Sequence, residues 1–268
     1  MVQIRLTISA TSSFVRIHKR RKTEGCQVVI DFPDPRTAPD DCDLLAVSHF
    51  GVNGSVIVAP PGIQWPKLTD FGSSWSPEVL IEAYRRGLFP MPFEIDGEMI
   101  GIGWWSPAER AIFYPDRVRV SRSLRKDLPK FTVTFNKDFE AVMRACADPS
   151  RPLGWITDDV VSAYLRLHAM GAAHSVEVWL SGELVGGLYG VAIGGVFAGE
   201  SMFHKVTNAS KVALVHLAAW LNDGHGRVID SQWLTTHLES LGAVRMPRSE
   251  YCDLVSRLAL NEPPKLPV

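Results

Sequence analysis

Cysteine is scarce and badly spaced for chemistry. Cys26, Cys42, Cys146 and Cys252 form no C-x-x-C pair and have no paired histidine nearby, which excludes a zinc ribbon or a redox dithiol. Cys146 and Cys252 fall on apolar helix faces and are expected as buried free thiols, which suits a reducing, cytoplasmic setting. Long apolar runs are missing too. None reaches the ~18 residues that span a bilayer, so no membrane partner is expected, and no signal-peptide core is found. Charge of one sign is not in excess: 28 Lys+Arg face 29 Asp+Glu. Any nucleic-acid surface must therefore be local. No G-x-x-x-x-G-K-[ST] loop is present, and Gly186, Gly187 and Gly190 sit inside a strand pattern, not between strand and helix. No G-x-S-x-G elbow frames Ser201 or Ser231.

What is present is organised around residues 183–232. Two apolar runs are separated by Gly194-Gly195, the signature of a hairpin. A helix-length apolar run follows Asn208 and stops at Gly224 and Gly226. Residues 227–232 return as a short extended run. Glu200, Asp230 and Gln232 are thereby placed near strand C-terminal ends, where open α/β sheets carry their chemistry.

The rest of the chain reads unevenly. Residues 1–60 are expected as a poorly ordered extension or a start placed too far upstream, and as dispensable for activity. Their basic peak is Lys19-Arg20-Arg21-Lys22. Order becomes legible at Ser76-Pro77-Glu78, a cap, a first-turn proline and a first-turn acid. Gly87 should end that helix. The aromatic and proline words of residues 88–93 and 103–107 predict loops whose rings either pack on a neighbour or form a binding wall. Arg117, Arg119, Arg122, Arg125, Lys126 and Lys130 crowd one stretch, alternating along a strand-like run. It is either a solvated face or a phosphate-tracking patch. Asn136 is expected to cap a helix burying Phe139, Val142, Met143 and Cys146. Thr157 should cap another, with Val160, Val161, Tyr164 and Leu167 inward. His168 and His174 are expected as structural or exposed. Residues 176–180 alternate as a strand and turn at Ser181-Gly182. Thr235 or Thr236 caps a short helix ending at Gly242. A last helix from near Ser249 should bury Leu254, Val255 and Leu258, ahead of a loose, Pro-rich tail at 261–268. This order predicts an α/β (α+β) fold with a mixed sheet.

Asp230 and Gln232, two apart on an extended run, should point to one side. Two acids and an amide at a sheet's mouth suit a cationic amine substrate. An α-amine is a nucleophile only when neutral, and a carboxylate can hold its cation or take its proton. Gln232 cannot act as a base, but its amide oxygen can orient the attacking N–H.

The words Leu88-Phe89-Pro90, Trp104-Trp105-Ser106-Pro107, Gly154-Trp155-Ile156-Thr157, Gly199-Glu200-Ser201-Met202-Phe203, Asn208-Ala209-Ser210-Lys211 and Ile229-Asp230-x-Gln232 resemble the leucyl/phenylalanyl-tRNA–protein transferase family. The likeness runs from about Trp75 to Arg257 and leaves residues 1–60 outside. It implies a small N-terminal subdomain over residues 61–108 and an acetyltransferase-like (GNAT) acyltransferase domain over 109–260. It also implies transfer of Leu or Phe, less readily Met, from aminoacyl-tRNA to proteins with N-terminal Arg or Lys, which marks them for degradation. Neither metal nor coenzyme A is implied as cofactor. By the same resemblance Asp230 and Gln232 are the catalytic pair, and Glu200 recognises the cationic acceptor. Trp155, Leu188 and Leu217 line the aminoacyl pocket, with Ser201 beside them. Arg117, Arg119, Arg122, Arg125 and Lys126 meet the tRNA. Met91 replaces an adenine-stacking tryptophan of the best-known members, so the stacking contribution is expected either to be weakened or to be supplied by Trp104, Trp105 or Phe93. A coenzyme-A-dependent N-acetyltransferase is disfavoured, because no Gly-rich turn opens the helix after Asn208.

Overall fold

Chain direction and hydrophobic alternation build two sheets. The computed structural model describes residues 34–38, 40, 43–49, 57–58, 75–95, 98–148 and 155–267. The basic peak at residues 19–22, Cys26 and Cys42 lie outside them. A four-stranded antiparallel sheet combines β1 (Leu44–His49), β2 (Ile57–Val58), β3 (Phe89–Ile95) and β4 (Glu98–Trp105) in the order β2-β1-β4-β3. The larger sheet has seven strands: β5 (Glu109–Phe113), β6 (Thr132–Phe135), β7 (Ala173–Leu180), β8 (Glu183–Ile193), β9 (Val196–His204), β10 (Val228–Asp230) and β11 (Val244–Pro247). Their order is β11-β5-β10-β9-β8-β7-β6. All its pairs are antiparallel except β9 with β10. The fold is thus the expected mixed α/β.

Helices cover both faces of the larger sheet. α1 (Pro77–Arg85), α3 (Phe139–Cys146) and α4 (Asp158–Ala169) pack with Tyr189, Val191 and the β3–β4 aromatics in one cluster. α5 (Ala209–Leu221) packs with Val176, Leu188 and Phe197 in a second, joined by Leu124 of α2 (Arg122–Asp127) and Leu238 of α6 (Thr236–Ser240). α7 (Arg248–Leu258) closes one end against Ile112 and Val228.

Local signals explain most boundaries. Ser76 Oγ accepts the Val79 N–H, Pro77 opens α1, and Gly87 leaves it at φ 80°. Thr157 and Thr235 cap α4 and α6. Ser181 and Gly182 make the β7–β8 turn with φ 52° and 84°. Gly194, at φ 55°, turns β8 into β9, and a Cβ there would stand 2.3 Å from the Leu258 carbonyl.

Several expectations are corrected. The first 60 residues are not structureless throughout: the turn Pro35–Thr37 and strands β1 and β2 belong to the fold. The aromatic words of residues 88–93 and 103–105 lie in β3 and β4, not in loops. Pro90 and Pro92 are tolerated because β3 is an edge strand. Asp138, not Asn136, caps α3; Asn136 turns at φ 56° and bonds the Ser175 N–H. The basic stretch is no strand but a 3-10 turn (Pro115–Arg117), an irregular run and α2. α7 buries Tyr251, Cys252 and Val255, while Leu254 and Leu258 are half-buried. The tail is irregular yet tied: Trp220 Nε1 donates to the Lys265 carbonyl at 2.6 Å and Arg227 Nη1 to that of Glu262 at 2.8 Å.

Candidate active site

Two strands running parallel and side by side deliver the acids. Asp230 pairs with Ala198, so Glu200 lies two residues further toward the strand ends. Glu200 also has no partner in β8. Tyr189 pairs with Ser201 and Gly190 with Gly199, which leaves Glu200 as the extra residue of a β-bulge. Bulges of this kind re-aim a side chain. Only glycine fits opposite, since a Cβ on Gly190 would come within 2.2 Å of the Ala198 carbonyl.

The bulge turns Glu200 toward two helices. Tyr84, on the apolar face of α1, donates to Oε1 at 2.7 Å. Tyr164, in the buried stripe of α4, donates to Oε2 at 3.1 Å. The two hydroxyls are 2.5 Å apart. Burial pushes the Glu200 carboxyl upward; the Tyr84 and Tyr164 hydroxyls pull it back, Asp230 raises it again and Arg110 lowers it. The balance stands at about 7. Both phenols are driven well above their ordinary value, by burial first and by the Glu200 charge second.

Asp230 is treated differently. It has no exposed surface, and each of its oxygens accepts two hydrogen bonds. Oδ1 takes Arg110 Nε at 2.9 Å and the Gln232 backbone N–H at 2.9 Å. Oδ2 takes Arg110 Nη2 at 2.7 Å and the Tyr251 hydroxyl at 2.8 Å. The four acceptor positions of a carboxylate are thus filled. Arg110 is itself 1% exposed and donates Nη1 to the Gly87 carbonyl at 3.0 Å. Its guanidinium lies between the rings of Phe89, 4.8 Å away, and Tyr251, 4.4 Å away. Burial pulls the guanidinium downward most strongly, but the charges of Asp230 and Tyr251 and the hydrogen bonds to Asp230 together turn the net direction up.

Gln232 does not continue the strand. β10 ends at Asp230 and Gln232 sits at φ 58°, so the two side chains do not share a face by alternation. They are held instead by the Asp230 Oδ1 bond to the Gln232 N–H. The Gln232 carboxamide makes no hydrogen bond among the described residues. Its Nε2 is buried and unpartnered, as is Trp105 Nε1 nearby.

The remaining candidates divide. Leu188 and Leu217 meet in the α5 cluster, while half-buried Trp155 and Met91 pack on the cluster that holds Tyr84 and Tyr164. Trp104 has no exposed surface and Trp105 only 6%, so neither ring is open to stack on a base. Ser201, partly buried, pairs with Tyr189. Arg117, Arg119, Arg122, Arg125 and Lys126 are all exposed. Among the described residues, Arg122, Arg125 and Lys126 face no acid within 4.0 Å. His168 is structural, stacked on Phe139 at 4.3 Å, and Cys146 and Cys252 are buried free thiols. Among the described residues no group of His, Cys, Asp or Glu can hold a metal ion, and no helix is long and apolar enough to cross a membrane.

Sequence reasoning missed Arg110, Tyr84, Tyr164 and Tyr251. Tyr84 and Tyr164 read as ordinary core positions. Arg110 carried one usable signal: an arginine opening the apolar run Ala111-Ile112-Phe113 needs a buried acid to stand beside.

The profile of the leucyl/phenylalanyl-tRNA protein transferase family matches residues 112–256, and that of its N-terminal domain matches residues 74–108. A leucyl/phenylalanyl-tRNA–protein transferase of Azoarcus sp. is 49% identical over 197 residues, covering 72% of this chain and 82% of that protein. The enzyme of that name from Nitrosospira multiformis is 48% identical over 219 residues, covering 80% of this chain and 90% of its own. Among solved structures, a GCN5-related N-acetyltransferase from Kribbella flavida aligns at 12% identity and a TM-score of 0.33, over 64% of this chain and 59% of that one, too distant to carry weight.

Proposed function

Because the chain belongs to the leucyl/phenylalanyl-tRNA–protein transferase family, we propose that it moves leucine or phenylalanine, and less readily methionine, from charged tRNA to the α-amine of proteins beginning with Arg or Lys. The reaction is acyl transfer in the cytoplasm, and the added residue marks the acceptor for degradation. One observation supports the chemistry most directly. Glu200 is a carboxylate held by two hydroxyls and poised at about 7, next to an aspartate already neutralised by arginine.

The step follows from that contrast. An α-ammonium has an ordinary pKa near ~7.7–8.0. Glu200 is matched to it and takes its proton, leaving a neutral amine. The amine nitrogen attacks the ester carbonyl, so a C–N bond forms and the C–O bond to the terminal ribose breaks. The ribose oxygen leaves with the second amine proton. Gln232 offers its unpartnered carboxamide to the reacting amine or carbonyl. Asp230 is spent on Arg110 and Tyr251, and its part is to hold the Gln232 turn. This moves to Glu200 the catalytic part first expected of Asp230. Leu188 and Leu217 supply apolar surface for the transferred side chain. Arg117, Arg119, Arg122, Arg125 and Lys126 track tRNA phosphates; charge reversal at Arg122 and Arg125 should weaken charged-tRNA binding and flatten its salt dependence. An unchanged slope would remove the patch from the tRNA surface.

The decisive assay mixes the protein with Leu-tRNA, Phe-tRNA or acetyl-CoA and peptides starting with Arg, Lys or Ala, then weighs the peptides. Addition of Leu or Phe to the Arg and Lys peptides is expected. An acetylated product, or equal use of the Ala peptide, defeats the reading.

A further inference from the structure

The segment ahead of both matched family regions reaches the catalytic corner through one side chain. Asp43 precedes β1 and is 32% exposed. Its Oδ1 accepts the Ala108 N–H at 2.8 Å, and its Oδ2 accepts Trp233 Nε1 at 3.2 Å. Its backbone carbonyl accepts the Ser106 N–H at 2.8 Å. Arg248 Nη2 lies 3.6 Å from Oδ1, and Arg248 Nη1 donates to the Ala38 carbonyl at 3.1 Å.

Trp233 follows Gln232 directly. Its ring meets Phe89 edge-on at 5.0 Å and Trp105 at 6.0 Å. The Phe89 ring in turn packs on the Arg110 guanidinium that grips Asp230. Gln232 holds a left-handed φ of 58°, a conformation that is strained in a residue with a side chain and persists only where the surrounding structure enforces it. On one flank the Asp230 Oδ1 bond holds the Gln232 N–H. On the other, the Gln232 carbonyl accepts the Ala111 N–H at 2.9 Å, and the next residue is anchored by the Trp233 indole, whose hydrogen bond goes to Asp43.

We infer that Asp43 is a positioning residue for Gln232, acting through the Trp233 indole, and that it completes the catalytic corner. The inference rests on the reading that Gln232 engages substrate. It also reverses the expectation that residues 1–60 are dispensable.

Transfer of Phe from Phe-tRNA to a Lys-initiated peptide is measured for the parent, Asp43→Ala, Trp233→Phe and the double variant, with a thermal melt of each. Both single variants should lose about tenfold or more in kcat, as misplaced catalytic groups do. KM for peptide should stay within about twofold, since uniform binding is untouched. The double variant should fall no further than Trp233→Phe alone, because both changes remove one bond. Parent-like kcat in Asp43→Ala, or drops that multiply, overturns the inference while leaving the activity intact. A parent that transfers nothing overturns both this inference and the proposed activity. If Asp43→Ala loses its cooperative melt, Trp233→Phe decides, since it leaves the Asp43 bonds to Ala108 and Arg248 in place; parent-like kcat there is equally fatal.

Discussion

Asp230 and Glu200 stand on adjacent parallel strands, but their surroundings assign them opposite tasks. Asp230 is closed in by a bidentate arginine, a tyrosine hydroxyl and a backbone N–H. Glu200 is bulged out of its ladder and, among the described residues, receives two phenol hydrogen bonds and no direct contact from a cation. Acidity in a site is therefore a matter of partners rather than of sequence position. A carboxylate whose lone pairs are all engaged is committed to holding its neighbours in place, whereas one raised toward neutrality by burial exchanges a proton readily.

The sharpest way to break the comparison is to remove the titrating acid. Glu200→Gln keeps the shape and one hydrogen-bond acceptor but cannot take a proton. We expect kcat to fall by about 10²–10⁴-fold, the usual worth of general base catalysis, with charged-tRNA affinity little changed. The parent kcat should decline as pH drops through about 7, following Glu200, and the residual activity of the variant should lose that limb. A variant with parent-like kcat would return the proton to Asp230.

The locked corner should fail by a different route. Arg110→Met leaves the Asp230 charge buried and unpaired, which costs about 3–5 kcal/mol in general. The expected readout is a lower midpoint in urea, with most of the loss recovered when Asp230→Asn is added. A single variant as stable as the parent would mean that the ion pair is not what holds this end of the sheet.

The two corners were not equally legible. Helix caps such as Ser76 and Thr157, the turns at Gly194 and Ser181-Gly182, and the strand–strand–helix–strand order around Glu200 follow from local chemistry, and the sequence displays local chemistry directly. Asp230 and Gln232 were found, but their geometry was misjudged. A left-handed residue at a strand end is set by the hydrogen bond from Gln232 N–H to Asp230 and by the docking of Trp233, neither of which alternation reveals. Arg110 is 120 residues from Asp230 in the chain, Tyr84 is 116 from Glu200, and Asp43 is 190 from Trp233. Partners at such separations come from topology, so a linear reading sees only an arginine beside an apolar run or a tyrosine on a core face. Trp104 misled in the opposite sense, because an aromatic word followed by Pro107 looks like a loop, whereas it lies in β4, inside the sheet beside the edge strand β3.

Stability against pH gives a smaller contrast. The folded-state pKa of Glu200 lies above its unfolded value, so between about 4.5 and 7 the native state binds the extra proton. Stability from this group is then present below the unfolded value and is lost as pH rises to about 7, the reverse of a salt-bridged carboxylate. Glu200→Gln carries no such loss. At pH 8 it should be more stable than the parent by on the order of 1–2 kcal/mol, with the difference vanishing near pH 4. Chemical denaturation at the two pH values measures it, and a constant difference would place the effect outside titration.

The smallest expected effect tests how the poise at Glu200 is set. Burial raises the carboxyl, and the hydroxyls of Tyr84 and Tyr164 hold it down by favouring the ionised form. Tyr164→Phe removes one of those donors while keeping the ring that meets Tyr189 edge-on at 5.7 Å. Loss of a stabilising bond to the charged form must raise the acid further, so the acidic limb of the kcat profile should move to higher pH by up to about one unit, equivalent to about 1.4 kcal/mol. Activity well above that limb should stay near the parent's, because the carboxylate is ionised there with or without the phenol. A limb that moves to lower pH would mean that Tyr164 stabilises the protonated acid, and a uniform loss at every pH would mean that the phenol meets the substrate itself rather than tuning its neighbour.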